Sequence, residues 1–363
     1  MDPYLNIGGR RVEPGGRAYI VAEMSANHGQ EFSRAEAIVR AAKDAGADAI
    51  KLQTYTPDTL TLHCDREPFK IRGTAWDGST LYDLYAKAYT PWEWHAPLQA
   101  LARGLGLDFF STAFDDTAVE FLERLQVPVH KVASFENVDL PLLRRIARTG
   151  KPVLLSTGLA TREELEEAKQ TIQDAGGRQL AFLKCTSAYP ASPADANLRT
   201  IPDLAKSFGI PVGLSDHTLE LAVPVAAVAL GACVIEKHLT LSRAIPTPDS
   251  GFSLEPVEFR AMVDAIRVAE QALGTVQFGP SKSEEPSRVF RRSLFVVKPV
   301  KAGECFTAQN VRSIRPGHGL PPRELERILG RRAAYDLEAG TPMSWDLIAD
   351  EATAETRHAN GPS

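Results

Sequence analysis

Two segments of the chain end alike: Ser215-Asp216-His217 and Glu236-Lys237-His238 each close an apolar run with charged and hydrogen-bonding side chains. Alternate residues of a strand face the same side. Ser215 and His217 therefore share one face, and Glu236 and His238 share another. If the strands are neighbours, the two imidazoles converge as neutral nitrogen donors for one divalent cation, leaving other positions to water, substrate and Glu23. Two histidines with oxygen ligands and no cysteine nearby suit Mn²⁺ first, then Mg²⁺ or Co²⁺, and do not suit a closed structural zinc. Taken singly, each histidine reads better as a hydrogen-bonded core residue, so the pairing carries the expectation.

A second constellation is cationic. Lys51 and Lys131, with the hydroxyls of Thr112, Ser134, Ser156 and Ser215, are the groups expected around a phosphate or a phosphate plus carboxylate. The chain has no P-loop and no GxGxxG, which disfavours an ATPase or a dinucleotide enzyme. The phosphate then belongs to a small substrate. His28 reads as a base or as a loop residue. Trp92, Trp94 and His95 read as a helix start that packs on the body of the domain.

All these residues sit where short apolar runs end. Eight runs, Ala18–Met24, Ala47–Gln53, Leu107–Phe114, Pro128–Ser134, Pro152–Gly158, Leu180–Ala188, Pro211–His217 and Cys233–Thr240, have the continuous apolar character of strands buried on both faces. Amphipathic segments lie between them, clearest at Ser33–Ala45 and at Thr161–Ala175, where Thr161 and Glu164 make a capping box. The alternation predicts a (β/α)₈ TIM barrel with its site at the C-terminal ends of the strands. The stretch from Thr54 to Thr90 interrupts the rhythm and reads as a long loop over the mouth.

The expected domains are a barrel over 1–275, a polar Pro/Gly/Ser linker over 276–288, a small β-rich module over 289–350 and a disordered tail over 351–363. Within the module, 302–307 and 339–344 echo each other as turn and short strand. Charge divides the same way. Residues 281–350 carry 12 Lys/Arg against 9 Asp/Glu, and residues 1–280 carry 28 against 35, within a formal net charge of −5 for the chain.

That acidic balance argues against nucleic acid as a partner, and the cluster Arg288, Arg291 and Arg292 reads better as a solvated or interdomain face. The longest nearly apolar stretch, Leu221 to Ile235, is broken by Pro224 and Gly231 and is too short for a membrane span. No secretory leader is visible. The four cysteines have no metal or disulfide spacing and read as reduced thiols, so a cytoplasmic location is expected.

The segments 22–28, 50–58, 110–112, 151–158, 213–218 and 236–238 together resemble the sialic acid synthases, and the resemblance covers nearly the whole chain. Through 291–294 and 314–317 the module is similar to the antifreeze-protein-like (SAF) β-clip domain that ends these enzymes. Segments 52–59, 81–85, 90–95 and 184–190 look most like the branch that uses 2,4-diacetamido-2,4,6-trideoxy-β-L-altrose. The resemblance implies metal-dependent condensation of phosphoenolpyruvate with that acetamido sugar, giving a nonulosonic acid and phosphate. It implies Lys51, Thr112, Lys131, Ser134, Ser156 and Ser215 on phosphoenolpyruvate, His217 and His238 on the metal, and Glu23 as a catalytic group. It also implies Gln53, Glu136, Tyr189, Asp249 and Arg315 facing the sugar, in a homodimer whose swapped C-terminal cap brings Arg315 to the neighbour.

Two departures from the family pattern stand at Gly29-Gln30 and at Ala244–Thr247, the latter beside Asp249. Alternative readings are a synthase of N-acetylneuraminate or legionaminic acid, a metal-dependent aldolase or phosphatase on the same barrel, and a carbohydrate-binding module built on the C-terminal domain.

Overall fold

The computed structural model describes residues 1–74 and 76–350. The tail expected over 351–363 lies outside the described residues. The chain divides into two compact units, the first Met1–Gly274 and the second beginning at Thr275.

The first unit opens with a hairpin of β1 (Leu5–Ile7) and β2 (Arg10–Val12). Gly8 turns it at a φ of +57°, and a Cβ there would collide with the Asp108 carboxylate. Leu5, Ile7 and Val12 bury their side chains in the main core.

Eight parallel strands then close a barrel: β3 (Tyr19–Glu23), β4 (Ala49–Thr54), β5 (Asp108–Ala113), β6 (His130–Val132), β7 (Val153–Ser156), β8 (Leu180–Cys185), β9 (Val212–Asp216) and β10 (Val234–His238). Each lies within its predicted run, apart from Thr54 one residue beyond. Nearly every strand residue is buried, as a strand covered on both faces requires. The helix Phe32–Asp44 buries Ala35, Ile38, Val39 and Ala42 on one stripe. The helix Arg162–Asp174 starts at the Thr161/Glu164 capping box, worth about 1 kcal/mol.

The stretch between β4 and β5 is more ordered than a loop. It contains helical turns at Pro57–Leu60 and a helix Leu81–Ala88, capped by Thr80 Oγ1 accepting from the Asp83 amide. His95 opens the next helix, His95–Gly104, and is fully buried between Thr54 Oγ1 (2.8 Å) and the Pro91 carbonyl (3.3 Å).

Burial holds His28 and His95 near a pKa of about 4. A histidine held that low stabilises the fold fully above its ordinary value of 6.5, and the contribution fades as pH falls toward 4. Each contributes on the order of 3 kcal/mol. The melting temperature should therefore drop between pH 6.5 and pH 4, and His95→Gln should flatten that slope; an equal slope in the variant would contradict it.

In the second unit β11 (Ser293–Val296) pairs antiparallel with β12 (Val311–Ile314). The rest of this small sheet structure is single bridges, Phe295 with Pro342, Val300 with Leu337, Cys305 with Arg332 and Ala333 with Ile348. They enclose a separate core that includes Leu294, Phe306, Val311, Met343 and Ile348. The echoing segments 302–307 and 339–344 both feed that core, through Phe306 and Met343.

Candidate active site

The C-terminal ends of the barrel strands surround a cavity of about 400 Å³. Strand register sets its floor. Glu23 stands level with His238 on one side and Lys51 on the other, Thr112 lies between Gln53 and Lys131, and Ser215 lies beside Glu236.

Lys51 Nζ lies 2.7 Å from Glu23 Oε2 and 3.6 Å from Glu236 Oε1, and donates to Thr112 Oγ1 at 2.9 Å. Lys131 Nζ donates to Ser156 Oγ at 2.6 Å and to the Val132 carbonyl at 2.7 Å. Ser215 Oγ donates to Glu236 Oε1 at 3.2 Å. All these charged groups are buried.

Two ammonium groups and two carboxylates thus share a buried floor. Burial raises Glu23 to about 7, with Lys51 opposing and Glu236 adding to the rise. At Glu236 burial also pushes upward, but Lys51 and Lys131 outweigh it and hold the carboxyl below the usual range. Glu236 therefore carries the charge near neutrality, while Glu23 is free to hold or release a proton. Burial lowers Lys131.

The His217 and His238 rings also line the cavity, with centroids 5.3 Å apart. His217 Nδ1 lies 2.9 Å from the Thr186 carbonyl; donating there, it leaves Nε2 as the nitrogen that offers a lone pair once the ring has given up its second proton. Burial and the neighbouring His217 hold His238 well below the ordinary imidazole range, so this ring is neutral, and its buried Nδ1 has no hydrogen-bond partner. Among the described residues no three His, Cys, Asp or Glu side chains converge on one metal position. The pair fits a cation completed by water and substrate oxygens, not a closed protein cage.

Of the residues expected to face a sugar, Gln53, Glu136, Tyr189 and Asp249 line the same cavity. Gln53 Nε2 donates to Glu23 Oε1 at 3.1 Å and to Ser25 Oγ at 2.8 Å. Asp249 accepts from Ser25 Oγ and from the Ala26 amide at 3.1 Å. Glu136 Oε2 is buried without a partner, and burial raises this carboxyl to about 7. The Tyr189 ring packs against the His217 ring, centroids 4.5 Å apart and planes tilted by 51°. Arg315 belongs to the second unit, directly after β12.

The departures at the two loops have structural uses. Gly29 and Gln30 are both left-handed, at φ of +54° and +60°, and the Gln30 side chain donates to the carbonyls of Lys87 (3.3 Å) and Tyr89 (2.5 Å). Thr247 Oγ1 donates to Asn27 Oδ1 at 2.9 Å, tying the Asp249 loop to the first loop. His28 is buried against Thr90 and Trp94, outside the cavity, which settles it as a packing residue.

Several strand-end groups face away. Ser111 pairs with Thr54 at 2.7 Å, Lys237 with Asp216 at 2.5 Å, and Lys184 with Thr186 at 3.1 Å. Sequence reasoning placed no cysteine near the histidines, yet Cys185 Sγ lies 3.9 Å from His217 Nδ1. Strand β8 ends at Cys185 and its thiol lines the cavity beside Ser215, its register partner. Ser25 was also missed: β3 ends at Glu23, and Ser25 reaches the cavity from the 3-10 turn Ser25–His28 at a φ of +46°, which strand alternation does not foretell.

A barrel with this floor, joined to a compact β module, defines the class, and the chain belongs to the NeuB family, whose model matches residues 38–278; residues 291–349 match the SAF domain. Family membership makes it an enzyme, a phosphoenolpyruvate-dependent nonulosonate synthase and so a transferase. The family is metal-dependent in general. A pseudaminic acid synthase from Helicobacter pylori is 47% identical over 331 residues, 91% of this chain and 97% of that protein. An N,N'-diacetyllegionaminic acid synthase from Legionella pneumophila is 38% identical over 335 residues, 91% of this chain and 94% of that one. Among solved structures, the N-acetylneuraminic acid (sialic acid) synthetase of Leptospira borgpetersenii in complex with citrate matches with a TM-score of 0.70 at 28% identity. The match covers 78% of this chain and 94% of that chain.

Proposed function

We propose that the chain carries out the pseudaminic acid synthase reaction. Phosphoenolpyruvate condenses with water and the open-chain aldehyde form of 2,4-diacetamido-2,4,6-trideoxy-β-L-altrose, giving the nonulosonic acid and inorganic phosphate. The buried Lys51/Lys131 floor beside the histidine pair is the observation that carries this reading.

Lys51 and Lys131 hold the carboxylate and phosphate of phosphoenolpyruvate, with Thr112, Ser134, Ser156 and Ser215 as directed donors. As the methylene carbon of phosphoenolpyruvate bonds to the sugar aldehyde carbon, the adjacent phosphate-bearing carbon becomes cationic, takes up water and releases phosphate. Glu23, near 7, is poised to hold the proton exchanged with the attacking water or the new alkoxide. His217 and His238 would hold a divalent cation, Mn²⁺ before Mg²⁺ or Co²⁺, which would supply a Lewis acid for the aldehyde oxygen. Gln53, Tyr189 and Asp249 orient the sugar from the cavity wall.

Glu136 accepts hydrogen bonds from the sugar when ionised. Since it is held near 7, the KM for the sugar should rise as pH falls below 7, and Glu136→Gln should flatten that dependence. An unchanged pH profile in the variant would remove Glu136 from the sugar site.

The working assembly is a homodimer whose swapped C-terminal cap brings Arg315 to the neighbour's barrel. An acidic barrel, a basic module and the exposed Val276 and Phe278 of the linker support it. A light-scattering mass of two chains is expected; full activity in a monomer would refute it. Among the described residues no helix is long and apolar enough to cross a membrane. A cytoplasmic site of action fits the four free thiols and a phosphoenolpyruvate supply.

The test is phosphate release with phosphoenolpyruvate and a sugar panel. Release is expected only with both substrates and a divalent metal, fastest with the trideoxy sugar. Faster turnover of N-acetylmannosamine or of the legionaminic precursor would reassign the substrate, and phosphate release without sugar would indicate a phosphatase.

A further inference from the structure

The cavity has two chemically distinct sides. Its floor is ionic, whereas the segment between β4 and β5 contributes Leu60, Ile71, Trp76, Leu81, Leu84 and Tyr85 to one wall. Apart from Thr74 and the Tyr55 and Tyr85 hydroxyls, that segment's described side chains at the cavity are apolar, with the Trp76 indole N–H already donating to the Pro248 carbonyl. Leu60, Leu81 and Leu84 are only half-buried in the protein, so their remaining apolar surface is available to a bound molecule.

The wall is anchored across the mouth. Trp76 Nε1 donates to the Pro248 carbonyl at 2.9 Å, and its ring packs 5.5 Å from Tyr189 and 6.4 Å from Phe252. A connection between a strand and the next helix commonly needs only a few residues. Here a long segment is spent on an apolar surface facing an ionic floor.

We propose that this wall is the specificity element for the second substrate, receiving a methyl group at the sugar's non-reacting end and disfavouring a hydroxymethyl group there. This rests on the condensation reading above. The aldehyde carbon must lie at the floor, beside Lys51 and the histidines, so the opposite end of the open chain extends toward the wall. A hydroxyl placed against leucine and tryptophan gives up its water without gaining a partner. Apolar pockets reject an added hydroxyl by up to about 100-fold.

The experiment compares kcat/KM for the 6-deoxy diacetamido sugar and its 6-hydroxy counterpart, with saturating phosphoenolpyruvate and Mn²⁺. The wild-type chain should prefer the deoxy sugar by about 10- to 100-fold. Leu84→Asn, and separately Leu81→Ser, should narrow that ratio by about 5-fold or more through the sugar's KM, leaving the KM for phosphoenolpyruvate in place. Circular dichroism establishes that each variant is folded, and either folded variant suffices.

A wild-type ratio near one, or a ratio unchanged in a folded variant, overturns the proposal while leaving the condensation intact. Failure of both sugars to condense with phosphoenolpyruvate overturns the underlying reaction instead.

Discussion

Lys51→Met should lower kcat/KM for phosphoenolpyruvate by about 10³-fold and destabilise the fold by about 3 kcal/mol. Both effects come from the same nitrogen. Lys51 Nζ is the counter-ion that Glu23 and Glu236 share, at 2.7 and 3.6 Å. Without it two buried carboxylates face each other, and one must take a proton. Glu23 already stands near 7, so it accepts that proton at low cost and keeps the penalty at the lower end of the buried-pair range.

Lys131→Met supplies the contrast. Lys131 is held by a hydroxyl and a carbonyl, without a carboxylate in contact, so an apolar replacement should lose comparable activity with little loss of stability. Phosphate-release kinetics and thermal melts separate the two. Activity within tenfold of wild type in both variants would remove the lysine floor from the chemistry.

The second large effect concerns the histidine pair. His217→Ala and His238→Ala should each lower turnover by about 10³-fold at fixed Mn²⁺, and titration calorimetry should show Mn²⁺ affinity falling by at least about 100-fold. His238 is neutral at ordinary pH, whereas Cys185 and the Thr186 carbonyl outweigh the burial of His217 and hold it above the usual imidazole value. A cation must therefore displace a proton from His217, so Mn²⁺ affinity should rise with pH through that imidazole's range. Unchanged binding in both variants would place the cation elsewhere.

Most of the barrel was legible because burial on both faces writes a continuous apolar run at every strand. The run Leu180–Ala188 overstated β8, which ends at Cys185, before the hydroxyl residues Thr186 and Ser187. The helix Leu81–Ala88 had a readable start in Thr80 and Asp83, but the Thr- and Asp-rich surroundings masked it.

At the site, period-two alternation brought Ser215, His217, Glu236 and His238 to one cavity, and Lys51 and Lys131 to its floor. Alternation also explains why Lys237 and Ser111 turn away. The placement of Trp76 had no local signal. Its partner carbonyl, Pro248, lies 172 residues further along the chain, and only closure of the barrel brings the two together. Cys185 was missed for a related reason: its nearness to His217 follows from the neighbouring register of β8 and β9.

The most direct test of the central claim is mass spectrometry of the product formed from phosphoenolpyruvate and 2,4-diacetamido-2,4,6-trideoxy-β-L-altrose, with phosphate measured in parallel. The account predicts one new species containing all the carbons of both substrates, with one phosphate released per molecule formed. Pyruvate and unchanged sugar beside that phosphate, or no reaction in the presence of Mn²⁺, would contradict it.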